Sequence, residues 1–387
     1  MSKRVLVVGS TASPMIADFD AEGFDILHRV DGEPGGKGLS SATIVAYARE
    51  ERADGILASD RNALLAVGEA AAELGLPCLS RECAQILLDR KALRECLVRN
   101  DVQQPRYVLL KQDWNVPEDW EVGEPVYIVA LDSLTGDNER KVDHPEDVSL
   151  GTIQVQKRSA IKQVIVEQSL SGRPISVYGS VVSNRFTSTA ILDQEWILGF
   201  RFPRSLVYPA NIGPESETVI IEAAQRAVDA VGFDHGSVRI NLLLDEAQAY
   251  ILDIDPCTLS ARLPIDLSGL ADGSPIVSAA LSLATDSSPV VKDASQGAAI
   301  AWIPARSGHV EGVEGEDVAK SLSGVMSLHI LAQQGDVFTH TVDIPSRDRV
   351  GYVVARGADG MAALATAEEA RDAIRVNTQN VLPARGR

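Results

Sequence analysis

Short apolar runs alternate with segments of helical spacing over the first 105 residues of the chain. The apolar runs, typical of buried strands, are RVLVVG, FDILHRV, ADGILAS and LPCLS. Apolar residues recur at helical spacing in SSATIVAYAREE, NALLAVGEAAAELG and RKALRECLVRNDV. Gly75 stands near the end of the second of these helices, where glycine is a common stop. The alternation predicts a parallel sheet covered by helices on both faces.

The pattern changes after Pro105. Residues 112–185 show short strands, turns and one helix near KRSAIKQ, which makes them a candidate second and smaller domain. Strands then resume around the helix ETVIIEAAQRAVDAVG, and a last helix, AALATAEEARDAI, follows the strands GAAIAWIPA and GYVVARG. We therefore predict three domains, with boundaries at 1–111, 112–185 and 186–387.

Composition and charge narrow the class of protein. The chain has 387 residues, is 45% hydrophobic and 23% charged, and is expected to be globular. Its net charge of -18 argues against nucleic acid or an anionic membrane as a partner, because phosphates attract a basic surface. No apolar run approaches the roughly 20 residues that a bilayer crossing needs. The four cysteines show no paired metal spacing, which favours a reducing cytoplasm.

Two sequence features suggest binding sites only weakly. GGKGLS, residues 35–40, looks like a phosphate-binding loop, but only three residues separate Gly32 from its Gly-Lys pair where that motif has four. Neither serine nor threonine follows Lys37, so we predict a flexible loop there. The six histidines are scattered, without the close pair of a metal motif, and are expected to be structural or exposed.

The segment VRINLLLDEAQAYILDIDP, residues 238–256, predicts two strands joined by a short turn near Ala247. Successive residues of a strand point to opposite faces. One face then carries the apolar residues Ile240, Leu242, Leu244, Tyr250, Leu252 and Ile254, and the other carries Arg239, Asn241, Leu243, Ile251, Asp253 and Asp255. A turn centred on Ala247 places Asn241 opposite Asp253 and Arg239 opposite Asp255, with Cβ atoms about 5 Å apart.

The polar face of this hairpin has two interpretations. In the first, the hairpin is half-buried, its polar face lies in water, and Arg239 forms an ion pair with Asp255. In the second, the two carboxylates and the amide of Asn241 hold magnesium, since these are hard oxygen ligands. The pattern alone leaves both interpretations open.

Several segments, taken in order, resemble the ATP-grasp superfamily over nearly the whole chain. The segments are ADGILASD, AAAELGLPCLS, LLDRKALRECLVRNDVQQPRYV, VIVEQSLSGRPISV, INLLLDEAQAYILDIDP, and GAAIAWIPA through RDRVGYVVARG. The last of them resembles the members related to biotin carboxylase. The resemblance implies an ATP-grasp fold: an N-terminal Rossmann-like parallel sheet, a small α+β ATP-grasp subdomain, and a larger C-terminal α+β domain with an antiparallel sheet.

The resemblance also implies ATP and Mg²⁺ as ligands, with a role for each matching residue. Arg90 and Lys91 would bind phosphates, Glu167, Gln168, Ser169 and Leu170 would line the adenosine, Asn241, Asp253 and Asp255 would hold Mg²⁺, and Arg239 or Arg262 would hold the substrate carboxylate or acylphosphate. Residues 167–170 are expected to run extended, with backbone groups available to a purine.

The sequence departs from the family at several of these positions. A second phosphate-binding lysine is expected in EPVYIVALDS, where the alignment places Ala130 and so removes a cation. The phosphate flap, LDSLTGDNER, has one glycine, Gly136, and Cys257 replaces a common arginine. Lys141 and Lys157, in the same small domain, are candidates to replace the missing cation.

The family chemistry implies an ATP-dependent ligase. A small carboxylate, expected to belong to an amino acid, attacks the γ-phosphate of ATP to give an acylphosphate, which an amine or another nucleophile then opens. The departures support an alternative, a degenerate non-catalytic protein that binds a nucleotide or a small acid, or serves as a partner subunit. A homodimer is one assembly compatible with either function.

Overall fold

The computed structural model describes residues 2–9, 14–17, 23–30, 40–110, 124–133, 138–197, 199–246, 248–259, 264–305, 307–338 and 349–379. The predicted loop at 35–39 and the flap glycine Gly136 lie outside these ranges. Among the described residues, none of the helices combines the length and apolar character needed to cross a membrane.

The chain divides into two compact units. The first contains residues 1–106, 170–191 and 212–294, and the second contains residues 107–169, 192–211 and 295–387. Both units are therefore built from three separate stretches of chain. The three domains 1–111, 112–185 and 186–387 stay a prediction.

The first unit begins with alternating strands and helices, as predicted. Its elements up to residue 99 are β1 (Lys3–Gly9), α1 (Pro14–Ala17), β2 (Phe24–Val30), α2 (Ser41–Glu50), β3 (Gly55–Ala58), α3 (Arg61–Leu74), α4 (Arg81–Leu88) and α5 (Arg90–Arg99). Strand β1 lies between β2 and β3 and is parallel to both. This confirms the parallel sheet, whose apolar strand residues pack against α2 and α3 in one core.

Side-chain caps fix where these helices begin and end. Asp60 accepts hydrogen bonds from the first backbone N–H groups of α3, and Asp89 does the same for α5. Gly75 ends α3 in the left-handed region, with φ of 67°, as its position predicts. The strand predicted for LPCLS is wrong, because residues 76–80 form no strand. Pro77 lacks a backbone donor, and Ser80 accepts from Cys83 N as the cap of α4.

The rest of the first unit is an antiparallel sheet with two longer helices. Its elements are β8 (Arg173–Val182), the start of β9 (Arg185–Trp196), α7 (Pro214–Val231), β11 (His235–Asp245), β12 (Gln248–Asp255), α8 (Leu267–Leu270) and α9 (Ile276–Ala284). The strand order is β12-β11-β8-β9. Strand β11 pairs antiparallel with both β8 and β12, so it is central and β12 lies at the edge.

The second unit begins with a small sheet and one helix. Its elements are β4 (Tyr107–Leu109), β5 (Val126–Ala130), β6 (Glu139–Val142), a 3-10 turn (Pro145–Asp147), α6 (Val148–Arg158) and β7 (Val164–Gln168). The order is β4-β7-β5-β6, antiparallel throughout. The helix predicted near KRSAIKQ is displaced, because α6 ends at Arg158 and only its last two residues belong to that segment.

The larger sheet of the second unit carries the last helix. It consists of the end of β9, β10 (Pro203–Tyr208), β13 (Gly297–Pro304), β17 (Arg349–Gly357) and β15 (Val325–Ile330), in that order. The remaining elements are β14 (Gly308–Glu314), α10 (Glu316–Ser321), β16 (Val337–Phe338), α11 (Gly360–Ala373) and β18 (Arg375–Gln379). Alanines on α11 pack against small apolar residues of β13 and β17, which lets helix and sheet approach closely.

Candidate functional site

The hairpin of β11 and β12 has the predicted pairing at its polar end. Arg239 lies opposite Asp255, and Asn241 lies opposite Asp253. Directly opposite residues of an antiparallel pair share a face. The structure therefore confirms that the two carboxylates, the amide and the guanidinium lie together, although Ala247, the predicted turn centre, lies outside the described residues.

A β-bulge at Leu252 changes the other half of the hairpin. The register shifts between Asn241 and Leu242, so that Leu242 pairs with Ile251 and Leu243 pairs with Tyr250. Leu252 is the extra residue on β12. The predicted faces are therefore wrong beyond the bulge, because Ile251 shares a face with Leu242 and Tyr250 shares a face with Leu243.

The polar face is buried and contains an ion pair. Asp253 and Asp255 are 2% and 0% exposed, and Arg239 is 6% exposed. Nη2 of Arg239 donates to Oδ2 of Asp255 at 2.6 Å, and Oδ1 of Asp255 accepts from the backbone N–H of Cys257 at 3.0 Å. The expected ion pair is confirmed, whereas the expectation that this face lies in water is wrong.

Tyr178 on β8 completes the surroundings of Arg239. The two residues are paired across β8 and β11, and their side chains form a hydrogen bond. Burial by itself would lower the pKa of Arg239, but Tyr178 and Asp255 beside it raise the pKa above its ordinary value. Burial likewise raises the pKa of Tyr178. Arg239 is therefore a permanent cation that faces two carboxylates and a neutral phenol.

The hairpin offers a hard cation three oxygen ligands. Asn241 Oδ1 accepts from the hydroxyl of Ser176 on β8, which orients the amide, and Asp253 Oδ1 accepts from the backbone N–H of Ile254. Two carboxylates and an amide oxygen suit Mg²⁺, which usually takes one or two carboxylates and completes its shell with phosphate and water oxygens. Asp255 would share its charge between the metal and Arg239.

Helix α5 presents the two predicted phosphate-binding cations at its start. Asp89 accepts from the N–H groups of Lys91 and Ala92. Arg90 is buried, whereas the side chain of Lys91 is 45% exposed and lies 3.7 Å from Glu95. Lys91 is therefore the more accessible of the two cations.

The predicted adenosine segment ends β7 in the second unit. Glu167 is paired with Tyr107 on one side and Tyr127 on the other, and Ser169 N donates to Pro125 O at 3.0 Å. The expectation of available backbone groups is therefore wrong at Glu167 and at Ser169 N. Gln168 is paired with Val126 alone.

Arg201 holds the side chain of Glu167 inside the second unit. Its Nη1 lies 2.6 Å from Glu167 Oε2 and 4.0 Å from Glu139 Oε2, and its guanidinium carbon lies 4.0 Å above the ring of Tyr127. Burial raises the pKa of Tyr127 to about 12, although Arg201 opposes the shift. Arg201 was not among the predicted site residues, because its contacts with Glu167 and Tyr127 join residues that are far apart in the sequence.

The small sheet buries Ala130, the position that the alignment gives to the missing lysine. Ala130 packs against α6 in a core with Val155 and Val164, whereas Val129 lies on the opposite face with Tyr127. Because a slip of one residue reverses the face of a strand side chain, the position on the face of Glu167 is Val129.

One of the two candidate replacement cations shares that face. Lys141 lies directly opposite Tyr127, with its side chain 27% exposed and 2.8 Å from Asp143. Lys157 is an exposed residue near the end of α6. Arg262, the other predicted cation for the substrate, lies outside the described residues.

Comparison with known proteins gives one sequence match and many structural ones. Residues 301–379 match the family model for L-amino acid ligase C-terminal domain 2. The match begins in the middle of β13 and ends with β18, so it includes β15, β17 and α11 but not β9 or β10. Among curated proteins, no sequence matches this chain.

Solved structures of several ligases and carboxylases have the same fold. The L-amino acid ligase from Bacillus licheniformis is 16% identical, with a TM-score of 0.76 over 98% of this chain and 99% of that chain. N5-carboxyaminoimidazole ribonucleotide synthetase from Thermotoga maritima is 14% identical, with a TM-score of 0.68 over 97% and 100%. The biotin carboxylase domain of 2-oxoglutarate carboxylase from Hydrogenobacter thermophilus, solved with MgADP, ADP and bicarbonate, is 13% identical, with a TM-score of 0.67 over 97% and 91%.

These likenesses establish the fold. The chain has the ATP-grasp fold, as the sequence resemblance predicts, with a parallel sheet at its N-terminus and antiparallel sheets in the rest. Because one fold supports many reactions, the function has to be argued from the residues of the site.

Proposed function

We propose that the protein is an ATP-dependent ligase that activates a small carboxylate, that of an amino acid, for attack by an amine. The observation that carries the proposal is the pair of buried carboxylates, Asp253 and Asp255, beside the half-buried Asn241 on one face of the hairpin, within an ATP-grasp fold. Buried carboxylates are costly unless they are paired or bind a cation. The family match at residues 301–379 supports an amino acid as the substrate.

Each set of residues has a proposed role in the reaction. Lys91 and Arg90 bind phosphate oxygens, and residues 167–170 line the adenosine. Asn241, Asp253 and Asp255 hold Mg²⁺, which when bound neutralises charge on the phosphates. Arg239 holds the carboxylate of Asp255 in place. Arg262 stays the proposed residue for the substrate carboxylate or the acylphosphate.

The chemistry requires positioning more than acid–base groups. The substrate carboxylate attacks the γ-phosphorus of ATP, ADP leaves, and the amine nitrogen then attacks the acyl carbon of the acylphosphate to release phosphate. Fixed cations stabilise the negative charge that develops on the transferred phosphoryl group. The chain supplies such cations at the start of α5 and at Arg239.

A second candidate function rests on Ala130, Val129 and Arg239. Ala130, where the resemblance implies a lysine, and its neighbour Val129 are both apolar, and Arg239 already neutralises part of the acidic pair. Both features fit a degenerate protein that binds a nucleotide or small acid without turnover, or that serves as a partner subunit.

ADP release in the presence of Mg²⁺, measured against a panel of amino acids as carboxylate and amine donors, tests the proposal. We expect release with at least one amino-acid pair, and its loss in Asp253→Asn. Asp245→Asn, at the exposed end of the same hairpin, is the matched control. Calorimetric ATP binding without ADP release for any amino acid would favour the second candidate.

The proposal extends to location and assembly. We place the enzyme in the cytoplasm, where ATP is available and where the four free cysteines stay reduced. We also propose a homodimer, which light scattering at several protein concentrations tests directly.

A further inference from the structure

The bulge on β12 is held by a buried arginine from α5. Nη1 of Arg94 donates to the carbonyl oxygen of Ile251 at 2.9 Å, and Nη2 donates to that of Leu252 at 2.8 Å. Arg94 is 0% exposed. Its guanidinium thus binds the carbonyls of the bulge residue and of the residue before it, immediately ahead of Asp253.

Two glutamines support the same contact. Nη1 of Arg94 also donates to Gln104 Oε1 at 3.0 Å, while Gln104 Nε2 donates to the carbonyl oxygen of Arg94 at 2.9 Å. The backbone N–H of Ile251 donates to the carbonyl oxygen of Gln103 at 2.9 Å. The edge of β12 is therefore bound by Arg94 in the middle of α5 and by the residues that follow this helix, and Gln104 fixes the plane of the guanidinium.

The same helix carries the proposed phosphate-binding residues. Arg90 and Arg94 are both buried and are four residues apart, so they lie on one face of α5. Arg94 therefore connects the helix that begins with Arg90 and Lys91 to the strand that ends with Asp253 and Asp255.

We infer that Arg94 is a positioning residue of the metal site: it holds the bulge at Leu252 and so fixes Asp253 and Asp255 in relation to the start of α5. This inference rests on the proposed function. Bulges next to active sites re-aim the side chains that follow them. The planar fork of arginine reaches two neighbouring carbonyls at once, which the single ammonium of lysine does not reproduce.

Arg94→Lys and Arg94→Met test the inference, with Arg99→Met as the control on the exposed end of the same helix. Mn²⁺ affinity is measured by calorimetry, and folding is checked by circular dichroism. We expect the Mn²⁺ dissociation constant to rise about 10-fold to 100-fold in both Arg94 variants, as for other groups that orient metal ligands. Arg99→Met should bind Mn²⁺ as the wild type does.

Hydrogen exchange supplies a readout that needs no metal. We expect the amides of Ile254 and Asp255 on β12 to exchange faster in Arg94→Lys, while amides that pair β11 with β8 stay protected. Folded Arg94 variants with wild-type Mn²⁺ affinity and wild-type exchange on β12 would overturn the inference. A wild type that neither binds Mn²⁺ nor releases ADP defeats the proposed function instead, and exchange on β12 then decides the role of Arg94 by itself.

Deletion of Leu252 provides a second route if Arg94→Met does not fold. The deletion removes the extra residue but keeps the pairs Asn241–Asp253 and Arg239–Asp255 in register. We expect the deletion to weaken Mn²⁺ binding as Arg94→Lys does. Combining the deletion with Arg94→Lys should weaken binding little further, because both changes remove the same contact between Arg94 and the bulge. Independent, additive losses would overturn the inference.

Discussion

The carboxylate of Glu167 lies 2.6 Å from Nη1 of Arg201, and the two side chains are 0% and 1% exposed. Removing one member of such a pair leaves the other charged and buried, which typically costs about 3–5 kcal/mol. We therefore expect Arg201→Met to lower the free energy of unfolding by about this amount, as measured by urea denaturation.

The matched control is Arg204→Met. Arg204 lies 3.4 Å from Glu195, but both side chains are about half exposed, so the loss should stay below about 1 kcal/mol. The double variant Arg201→Met/Glu167→Leu should recover part of the loss, since it removes the uncompensated charge. Equal losses in the two arginine variants would contradict this account of Glu167.

A second prediction concerns metal binding by the hairpin. Arg239→Met removes the cation that binds Asp255. The carboxylates of Asp253 and Asp255 then attract a divalent ion more strongly. We expect lower stability without metal and tighter Mn²⁺ binding than in the wild type. Thermal unfolding at a series of Mn²⁺ concentrations measures both effects, because a ligand stabilises the folded state according to its affinity.

The corresponding control keeps the positive charge. Arg239→Lys should lose less stability and tighten Mn²⁺ binding less, because an ammonium still neutralises Asp255. If Arg239→Met binds Mn²⁺ more weakly than the wild type, Arg239 supports the metal site and does not compete with it.

The sequence predicted the polar end of the hairpin because that end depends on local information. Alternation along two strands and a short turn determine that Asn241 faces Asp253. The bulge at Leu252 could not be predicted in this way, since its carbonyl is bound by Arg94, 158 residues earlier in the chain. Burial of the polar face likewise depends on Tyr178 and Ser176, which β8 brings beside β11.

The fold was predictable for a similar reason, and the errors in its prediction are confined to short segments. Periodicity identified α3, α7 and α11 because each has an apolar face that repeats over several turns. The segment LPCLS is too short for its pattern of apolar residues to distinguish a strand from an irregular connection. The lysine position at Ala130 stays a prediction, and a shift of one residue along β5 would move it to the opposite face of the strand.

The cysteines give a prediction about pH. Burial raises the pKa of Cys83 and of Cys257 in the folded protein, and the nearby Asp234 and Asp255, respectively, add to the shift. The unfolded chain therefore releases these protons near its ordinary thiol pKa of about 8.5, while the folded chain keeps them. The two thiols should therefore leave the free energy of unfolding unchanged below about pH 8.5 and lower it as the pH rises above that value.

Urea denaturation between pH 7 and pH 10, in the presence of a reductant, measures the slope of the free energy of unfolding against pH. Cys257→Ala and Cys83→Ala should each flatten it, whatever they do to stability at neutral pH. Cys78→Ala, at a half-buried position, should change the slope less. A slope that is unchanged in all three variants would assign the pH dependence to other groups.

The last prediction separates the two faces of β5. Val129 lies opposite Glu139 and Ile165, on the face of Glu167, whereas Ala130 packs against α6. Val129 and Ala130 are both 0% exposed, but the ammonium of Val129→Lys lies beside the carboxylates of Glu139 and Glu167, on the face of the proposed adenosine segment. We expect Val129→Lys to fold and to bind ATP with Mg²⁺ more tightly than the wild type, by up to about 3 kcal/mol for a charge-assisted contact.

The control is Ala130→Lys. This variant buries a charge in an apolar core, so we expect it to lose several kcal/mol of stability without tighter binding of ATP. Calorimetry with ATP, combined with urea denaturation of both variants, compares them directly. Tighter ATP binding by Ala130→Lys than by Val129→Lys would contradict the assignment of the faces, and wild-type affinity in a folded Val129→Lys would remove this face from the nucleotide site.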